Sequence, residues 1–417
     1  MNKILKFKIN KDNNFFLIFS FFYLFSILCF FFNIDPNGGA YLDYLNQKRI
    51  SQEFAENFFF KFYSFDQEST RHSPVLLIIL SFFEKIKLSD IYIRLITFHF
   101  CLILPLLFYK LLKIKFYFLK NKELLLLSCL IFFSPTFLSL SIWPDSRIYG
   151  VIFFTLSLIN FIKFEQKRNL INVYKCIFWY ALSSYFSLNF ALLSIFFVIK
   201  FLSFYKFDKK IIFIIGLNLI LALPAFIYTL SLESVFFLKS GISGKEFDIK
   251  DSLNFSNKII LISSVVFFYL IPFYTSNIVN LNFLKIKDLS LGILIFLICL
   301  NFFNYDPSYS GGGIFFKLSH FIFGNNFLIF LISIFSITAI INFTKLNIYN
   351  GLIIALLIIS NVQFSIYHKY YDPLLFILFF SIFDMNLDKI KIKKIKFLHF
   401  YLFFIFFLIL NFLKQSI

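Results

Sequence analysis

Long apolar runs recur along almost the whole chain, and they constrain the fold more than any other feature. A helix needs about 20 apolar residues to cross the hydrocarbon core of a bilayer, and runs near this length follow one another with short polar breaks. Hydrophobic residues make up 59% of the 417 positions and charged residues 15%, and the mean hydropathy is +0.82. A water-soluble core of this size could not hold so much apolar surface. We therefore predict an all-α polytopic membrane protein, folded as a single domain over 1–417.

About thirteen spans are predicted from these runs. The stretch 171–201 fits one long helix or a tight hairpin, and the run at 371–384 is short, so about 11 to 13 spans agree with the pattern. The first run follows a basic start without a small-residue cleavage site, which predicts a retained signal anchor. The predicted spans lie near 15–32, 90–112, 123–142, 147–164, 171–183, 184–201, 211–231, 258–276, 289–303, 326–343, 349–367, 371–384 and 397–413.

The formal net charge of +18 is explained by membrane topology rather than by nucleic acid, because no basic domain exists outside the spans. Lys and Arg concentrate in the short loops that would share one side if the N-terminus were inside, which is the pattern of cytoplasmic loops. We therefore expect a multi-pass protein of the cell's inner (plasma) membrane with a cytoplasmic N-terminus. The basic clusters lie at 110–122, 163–168, 200–210 and 389–396.

One apolar run, 75–86, is too short to cross a bilayer. The chain must be outside after Phe32 and inside by Lys113, and the span 90–112 already supplies that crossing. We therefore predict a helix that lies in the outer interface; a re-entrant loop would satisfy the same parity. The outer side would then carry loops at 33–89, 232–257 and 304–325, the last of which contains Gly311–Gly313 and fits a plain loop, a flexible lid or an anion nest.

The five cysteines all fall inside apolar segments, without C-x-x-C spacing or a nearby histidine. This distribution indicates buried apolar thiols and implies neither a disulfide nor a metal site. The short inner loops leave no room for a nucleotide-binding fold, so any chemistry would take place on the outer side.

The polar residues of that side belong to a few short motifs at predicted span ends. These motifs are "NIDPNGG" and "YLDYL" in the first outer loop, "RHSP" before the interfacial helix, the start of "SDIYIRLITFHF", "WPDSRIYG", and the late "YHKYYDP". We expect Arg94, Arg147 and Lys369 to meet in one outward-facing cavity, with His72 at its rim. The candidate site residues are Asp35, Asp43, Arg71, His72, Arg94, Arg147, Tyr149, Lys369 and Tyr370.

This order of motifs resembles the polyprenyl-phosphate-dependent glycosyltransferases of the C-type superfamily, in particular the bacterial protein-mannosyltransferase-like branch. The resemblance covers residues 15–200 and, more weakly, the late Tyr-rich motif. The sequence departs from the family pattern in two places: Ser73-Pro74 stands for a Pro-Pro pair, and single acids stand for an acidic pair in the first outer loop.

The resemblance implies transfer of a sugar from a polyprenyl phosphate to a glycan, lipid or protein acceptor in the cell envelope, with membrane lipids around the site. Inverting transfer needs one carboxylate to deprotonate the acceptor hydroxyl, and this base would be Asp43 or Asp35. Cationic groups would stabilise the departing phosphate, which is the role implied for Arg71, His72, Arg94, Arg147 and Lys369, with Tyr149 and Tyr370 as further substrate-binding residues. No cofactor is implied apart from the lipid-linked donor substrate, and the requirement for a divalent metal stays open.

Two other functions fit the same composition. One is an O-antigen-type polysaccharide polymerase, although such proteins usually carry their large outer loops in the second half. The other is a lipid or solute transporter such as a flippase, for which the prolines inside spans could act as hinges; no internal repeat supports it.

Overall fold

The computed structural model describes residues 13–68, 70, 72–206, 208–233, 254–276, 285–307, 311–344, 347–361, 365–384 and 397–416. Every regular element in these ranges is an α-helix or a 3₁₀-helix. The predicted site residue Arg71 and most of the predicted loop 232–257 lie outside the described residues.

The α-helices are numbered here in chain order. They are α1 (Asn13–Phe31), α2 (Ala40–Glu56), α3 (Phe58–Tyr63), α4 (Pro74–Lys85), α5 (Asp90–Cys101), α6 (Ile103–Lys115), α7 (Asn121–Cys129), α8 (Pro135–Ile142), α9 (Ser146–Lys167), α10 (Leu170–Phe186), α11 (Asn189–Tyr205), α12 (Lys210–Leu230), α13 (Phe255–Thr275), α14 (Ile286–Leu300), α15 (Gly313–Phe323), α16 (Phe327–Thr344), α17 (Ile348–Ser360), α18 (Leu374–Ser381) and α19 (Phe397–Ser416). Short 3₁₀-helices lie at Phe65–Gln67, Leu130–Phe133 and His368–Tyr370.

Several of these helices are long and apolar enough to cross a membrane, which confirms an all-α polytopic membrane protein. Within the described residues there are four such helices, namely Asp90–Lys115, Ser146–Lys167, Lys210–Leu230 and Phe255–Thr275, and a bent pair would make a fifth. Six shorter apolar helices accompany them, among them Phe327–Phe343 and Phe397–Phe412.

The stretch 171–201, for which the sequence allowed one helix or two, is divided between α10 and α11. The rings of Tyr180 on α10 and Phe197 on α11 stack with their centroids 5.8 Å apart. These two residues lie on either side of the break at similar distances from it, so the two helices fold back on each other as a hairpin. The predicted span at 371–384 contains only the eight-residue helix α18.

The predicted span 123–142 is not straight, which corrects the sequence-based expectation. Asn121–Phe133 and Pro135–Ile142 meet at an angle of 66°. Pro135 begins α8 at a position where its missing N–H is not needed, and the Ser134 hydroxyl accepts the N–H of Phe137 at 2.9 Å. The adjacent N–H of Thr136 donates to Asp372, 3.0 Å away. The break therefore has its own caps and is tied to the late "YHKYYDP" motif.

The apolar run after "RHSP" forms a helix where the sequence predicted one, and the structure shows what covers its apolar face. Leu77 of α4 is fully buried together with Ile50 and Phe54 of α2 and with Leu232 beyond α12. The helix therefore buries much of its apolar surface against other parts of the protein. Four charged side chains hold the same loop together: Arg49 and Lys61 each pair with both Glu53 and Glu68.

Several basic helix ends lie together at one end of the bundle. Gln166, near the end of α9, donates to the carbonyl of Ile114 at the end of α6, at 2.9 Å. Lys200, near the end of α11, lies 3.3 Å from the ring centroid of Tyr349 at the start of α17. The opposite end of the bundle contains the starts of α5 and α9 and the end of α1. Helices α2 and α4 pack there.

The glycines at 311–313 form a packing junction. Helix α15 begins at Gly313 and lies within the predicted loop 304–325. Gly311 has φ +114, and a Cβ there would lie 2.7 Å from the carbonyl oxygen of Ile366. The N–H of Gly312 donates to the same oxygen at 2.8 Å. The glycines therefore allow this segment to approach the backbone of Ile366, just before the late motif.

Replacing Gly311 with alanine is expected to destabilise the protein by roughly 1–3 kcal/mol, because alanine does not tolerate that backbone conformation and would clash with Ile366. Gly351→Ala is the matched control: it lies in α17 with open space around it, so helix propensity should raise stability by up to about 1 kcal/mol. The apparent melting temperatures of both variants would be measured. Equal temperatures would contradict the role of the junction.

Candidate active site

An ion pair joins the first outer loop to the late motif. The Nζ of Lys369 lies 2.8 Å from Oδ2 of Asp43, and the side chains are 18% and 41% exposed respectively. Asp43 lies in the first turn of α2, and Lys369 lies in the 3₁₀-helix His368–Tyr370. Two of the predicted site residues from opposite ends of the sequence are thus in direct contact, at a partly open surface.

Three further ionisable groups lie beside this pair. Asp145 caps α9 by accepting the N–H of Arg147 at 2.8 Å, and its other oxygen lies 3.9 Å from Nε2 of His72. The Arg147 guanidinium lies over the ring of Tyr370, 4.3 Å from its centroid. We call Asp43, His72, Asp145, Arg147 and Lys369 the charged cluster.

The cluster sets the protonation of its members. Burial alone would raise the pKa of Asp145, but Arg147, His72 and Lys369 together lower it to about 2, so this carboxylate stays ionised. Burial lowers the pKa of His72 to about 4 against the opposing effect of Asp145, with Arg147 adding to the decrease. At neutral pH the cluster therefore contains a neutral imidazole. One of its ring nitrogens donates a hydrogen bond and the other accepts one.

The lowered pKa of His72 predicts a pH-dependent stability. In the unfolded chain His72 binds a proton below about pH 6.5, whereas in the folded protein it does so only near pH 4. Stability should therefore fall as pH decreases through this window, by about 1.4 kcal/mol per unit for a single group. The apparent melting temperature of His72→Gln should lose this slope between pH 6.5 and 5. An unchanged slope in that variant would contradict a neutral His72 in the folded protein.

A buried carboxylate supports the cluster from within the bundle. Asp372 accepts the Ser134 hydroxyl at 2.5 Å as well as the N–H of Thr136. A cavity of about 20 Å³ lies between Asp372, Arg147 and Lys369, which is room for about one water molecule. The exposed side of Asp43 is therefore the open approach to the charged cluster.

Arg94 does not join this cluster, contrary to the sequence-based expectation. Its guanidinium lies 3.7 Å from the ring centroid of Trp143 and 5.1 Å from that of Phe30. It donates to the side-chain oxygen of Asn33 at 2.7 Å and to the carbonyl of Ile142 at 3.1 Å. Arg94 instead lines a separate, more open groove.

The second candidate base, Asp35, lines that same groove. Its Oδ2 accepts the N–H of Tyr41 at 3.1 Å, and its backbone carbonyl accepts the N–H of Gly38 at 3.0 Å. The turn suggested by "DPNGG" is therefore present. The structure divides the two candidate acids between two places: Asp43 is in the charged cluster and Asp35 is in the groove.

The two predicted tyrosines differ in their surroundings. Tyr149 packs inside the bundle, with its ring stacked on Phe100 at 5.1 Å and on Phe186 at 5.3 Å. Tyr370 lies under Arg147 at the cluster.

Two central carboxylates, Asp145 and Asp372, are not among the site residues predicted from the sequence. Asp145 stands in "WPDSR", where an N-cap residue precedes a helix, and Asp372 precedes a proline in "YYDP". Only the fold shows that Asp145 is buried near Arg147 and that Asp372 is buried against Ser134 and Thr136.

Comparison of the chain with protein-family models, curated proteins and solved structures found no match. The class of protein that the fold and site define is an all-α polytopic membrane protein. It carries a cluster of two carboxylates, a histidine and two cationic side chains at one end of its helix bundle.

Proposed function

We propose that this protein is an integral-membrane glycosyltransferase that moves a sugar from a polyprenyl-phosphate donor to an envelope glycan, lipid or protein, with inversion. The observation that supports this most strongly is the contact between Asp43 and Lys369 within the charged cluster. A carboxylate beside several cations is what the reaction needs, since it combines a base with groups that stabilise a departing phosphate.

In this reaction Asp43 accepts the proton of the acceptor hydroxyl while the hydroxyl oxygen attacks the anomeric carbon. The bond between that carbon and the phosphate oxygen breaks, and the lipid phosphate leaves with its negative charge. Lys369 and Arg147 stabilise that charge, and neutral His72 donates a hydrogen bond to it. When the donor binds, its phosphate competes with Asp43 for the Lys369 ammonium, which frees the carboxylate to act as the base.

The distribution of basic residues supports an outer position for the cluster. The basic ends of α6, α9 and α11 lie at the end of the bundle opposite to the charged cluster, and basic ends face the cytoplasm in membrane proteins. The proposal therefore places the donor in the outer leaflet of the inner membrane, with its phosphate at headgroup level beside Lys369.

A transfer assay tests the function directly. The protein would be purified into lipid nanodiscs and incubated with a polyprenyl-phosphate-sugar fraction and an envelope extract, and mass spectrometry would detect the transferred hexose. Transfer of single hexoses supports the proposal, repeated addition of oligosaccharide units indicates the polymerase alternative, and movement of intact lipid across the bilayer without a product indicates a flippase. Unchanged glycosylation of the envelope glycans, lipids and proteins in a deletion strain would contradict the proposal.

A further inference from the structure

An open groove beside α2 is not used by the proposed chemistry. Its volume is about 740 Å³, within the range of small-ligand sites. We call it the α2 groove; its polar and aromatic lining includes Asp35, Tyr41, Lys48, Asp90, Arg94 and Trp143.

The formal charges of the residues that line the α2 groove sum to zero. Asp35 and Asp90 oppose Lys48 and Arg94, which are the charged residues that line it within the described part of the chain. Lys48 is held by Asp90 at 2.8 Å. A phosphate in this space would meet two carboxylates, so the α2 groove favours a neutral polar ligand over an anion.

The α2 groove offers both kinds of contact that a sugar ring uses. Tyr41 is 45% exposed, and its ring is supported by Trp143, 4.7 Å away between centroids. Within the part of the chain that the structure describes, Oδ1 of Asp35 and the indole N–H of Trp143 are buried without a hydrogen-bond partner. An aromatic face packs against the C–H face of a sugar, while a carboxylate and an N–H can bind its hydroxyls.

The α2 groove is adjacent to the charged cluster without being part of it. Leu42 and Tyr44 line the groove, whereas Asp43 between them contacts Lys369. The two places are therefore separated by about the thickness of one helix, roughly 10 Å.

We infer that the α2 groove is a binding site for a neutral saccharide, which holds sugar residues of the acceptor glycan beside the charged cluster. The naming of that saccharide as the acceptor rests on the proposed function; the binding site itself does not. Arg94 and Asp35 would then bind sugar hydroxyls in the groove instead of the donor phosphate.

Tryptophan fluorescence provides a test, because the chain has two tryptophans and Trp179 stacks on Phe153 away from the groove. The Trp179→Phe protein would leave Trp143 as the reporter. It would be placed in nanodiscs free of glycoside detergent and titrated with the methyl glycosides of glucose, mannose, galactose and N-acetylglucosamine. We expect a saturable change with at least one of them.

Two variants would locate the binding. Tyr41→Ala and Asp35→Asn should each weaken sugar binding by about tenfold or more. Tyr63→Ala is the matched control, since this tyrosine of the same loop is 59% exposed and does not line the α2 groove; it should leave binding unchanged. All variants would first be shown to elute as monodisperse protein.

The outcomes separate this inference from the proposed function. A saturable, Tyr41-dependent response supports the α2 groove even if no hexose transfer is found, in which case only the transferase fails. No response to any neutral glycoside in folded protein overturns the inference, whether or not transfer occurs. Tighter binding of inorganic phosphate or glucose 1-phosphate, abolished by Arg94→Gln, would also overturn it and make the groove an anion site.

Discussion

Replacing Asp43 with asparagine is expected to lower the rate of sugar transfer by ~10²–10⁴, the usual contribution of a positioned base. Asparagine has nearly the same shape but cannot accept the proton, so the protein should still fold. Lys369 would lose its ionic partner and become more available to a phosphate, so donor binding should persist or increase. The measurements are the initial rate of hexose transfer and, separately, retention of the lipid-linked donor.

Two other substitutions make this test specific. Asp208→Asn changes an exposed acid paired with Lys210 at the basic end of the bundle and should leave transfer unchanged. Asp35→Asn tests the alternative base: if it abolished transfer while Asp43→Asn did not, the base would lie in the α2 groove. Transfer at the original rate in both variants would rule out Asp43 and Asp35 as the base.

Asp145→Ala is expected to have the largest effect on stability, about 3–5 kcal/mol, because it leaves a buried cation without its counter-charge. Asp145 is 1% exposed and Arg147 is 8% exposed, so solvent cannot replace the lost carboxylate. The substitution also removes the N-cap of α9, a contribution of roughly 0.5–2 kcal/mol. The readout is the apparent melting temperature in nanodiscs.

Matched variants separate the contribution of the buried negative charge to stability from that of the N-cap hydrogen bond. Asp145→Asn keeps a good N-cap acceptor, so its loss of stability reports the buried charge alone. Asp208→Ala removes a similar acceptor at an exposed position just before α12, where the Asp208 carboxylate accepts the N–H of Lys210 at 3.0 Å. It should cost no more than about 1 kcal/mol. If Asp145→Ala proved no worse than Asp208→Ala, the electrostatic account of the cluster would be wrong.

The sequence was a reliable guide to the helices because span length and apolar content are local properties. The positions of α9, α12 and α13 follow their predicted spans closely. The bend between Asn121–Phe133 and Pro135–Ile142 was missed, although a serine followed by proline is a local helix-start signal. The signal lies inside a continuous apolar run, and such a run favours one straight span.

The arrangement of the site was harder to predict because it depends on which faces of distant helices meet. The role predicted for Asp43 requires its carboxylate to lie within a few ångströms of the cations, and Lys369 is 2.8 Å away. Arg94 lies at a span end like the other cations, yet it faces Trp143 on another side of α2. Neighbouring residues of a helix point in directions about 100° apart, so a similar depth in the membrane does not imply a shared cavity.

The pairing of Asp43 with Lys369 spans 326 positions of the sequence, and this distance has a consequence for biosynthesis. Most of the helix bundle must enter the membrane before the partner of Asp43 leaves the ribosome. A chain interrupted before the late motif would keep its early spans but lack both Lys369 and the Asp372 contact with the bend in α7–α8. Under the proposed function, catalytic competence would therefore arise late in synthesis, and incomplete chains in the membrane would not react with the donor.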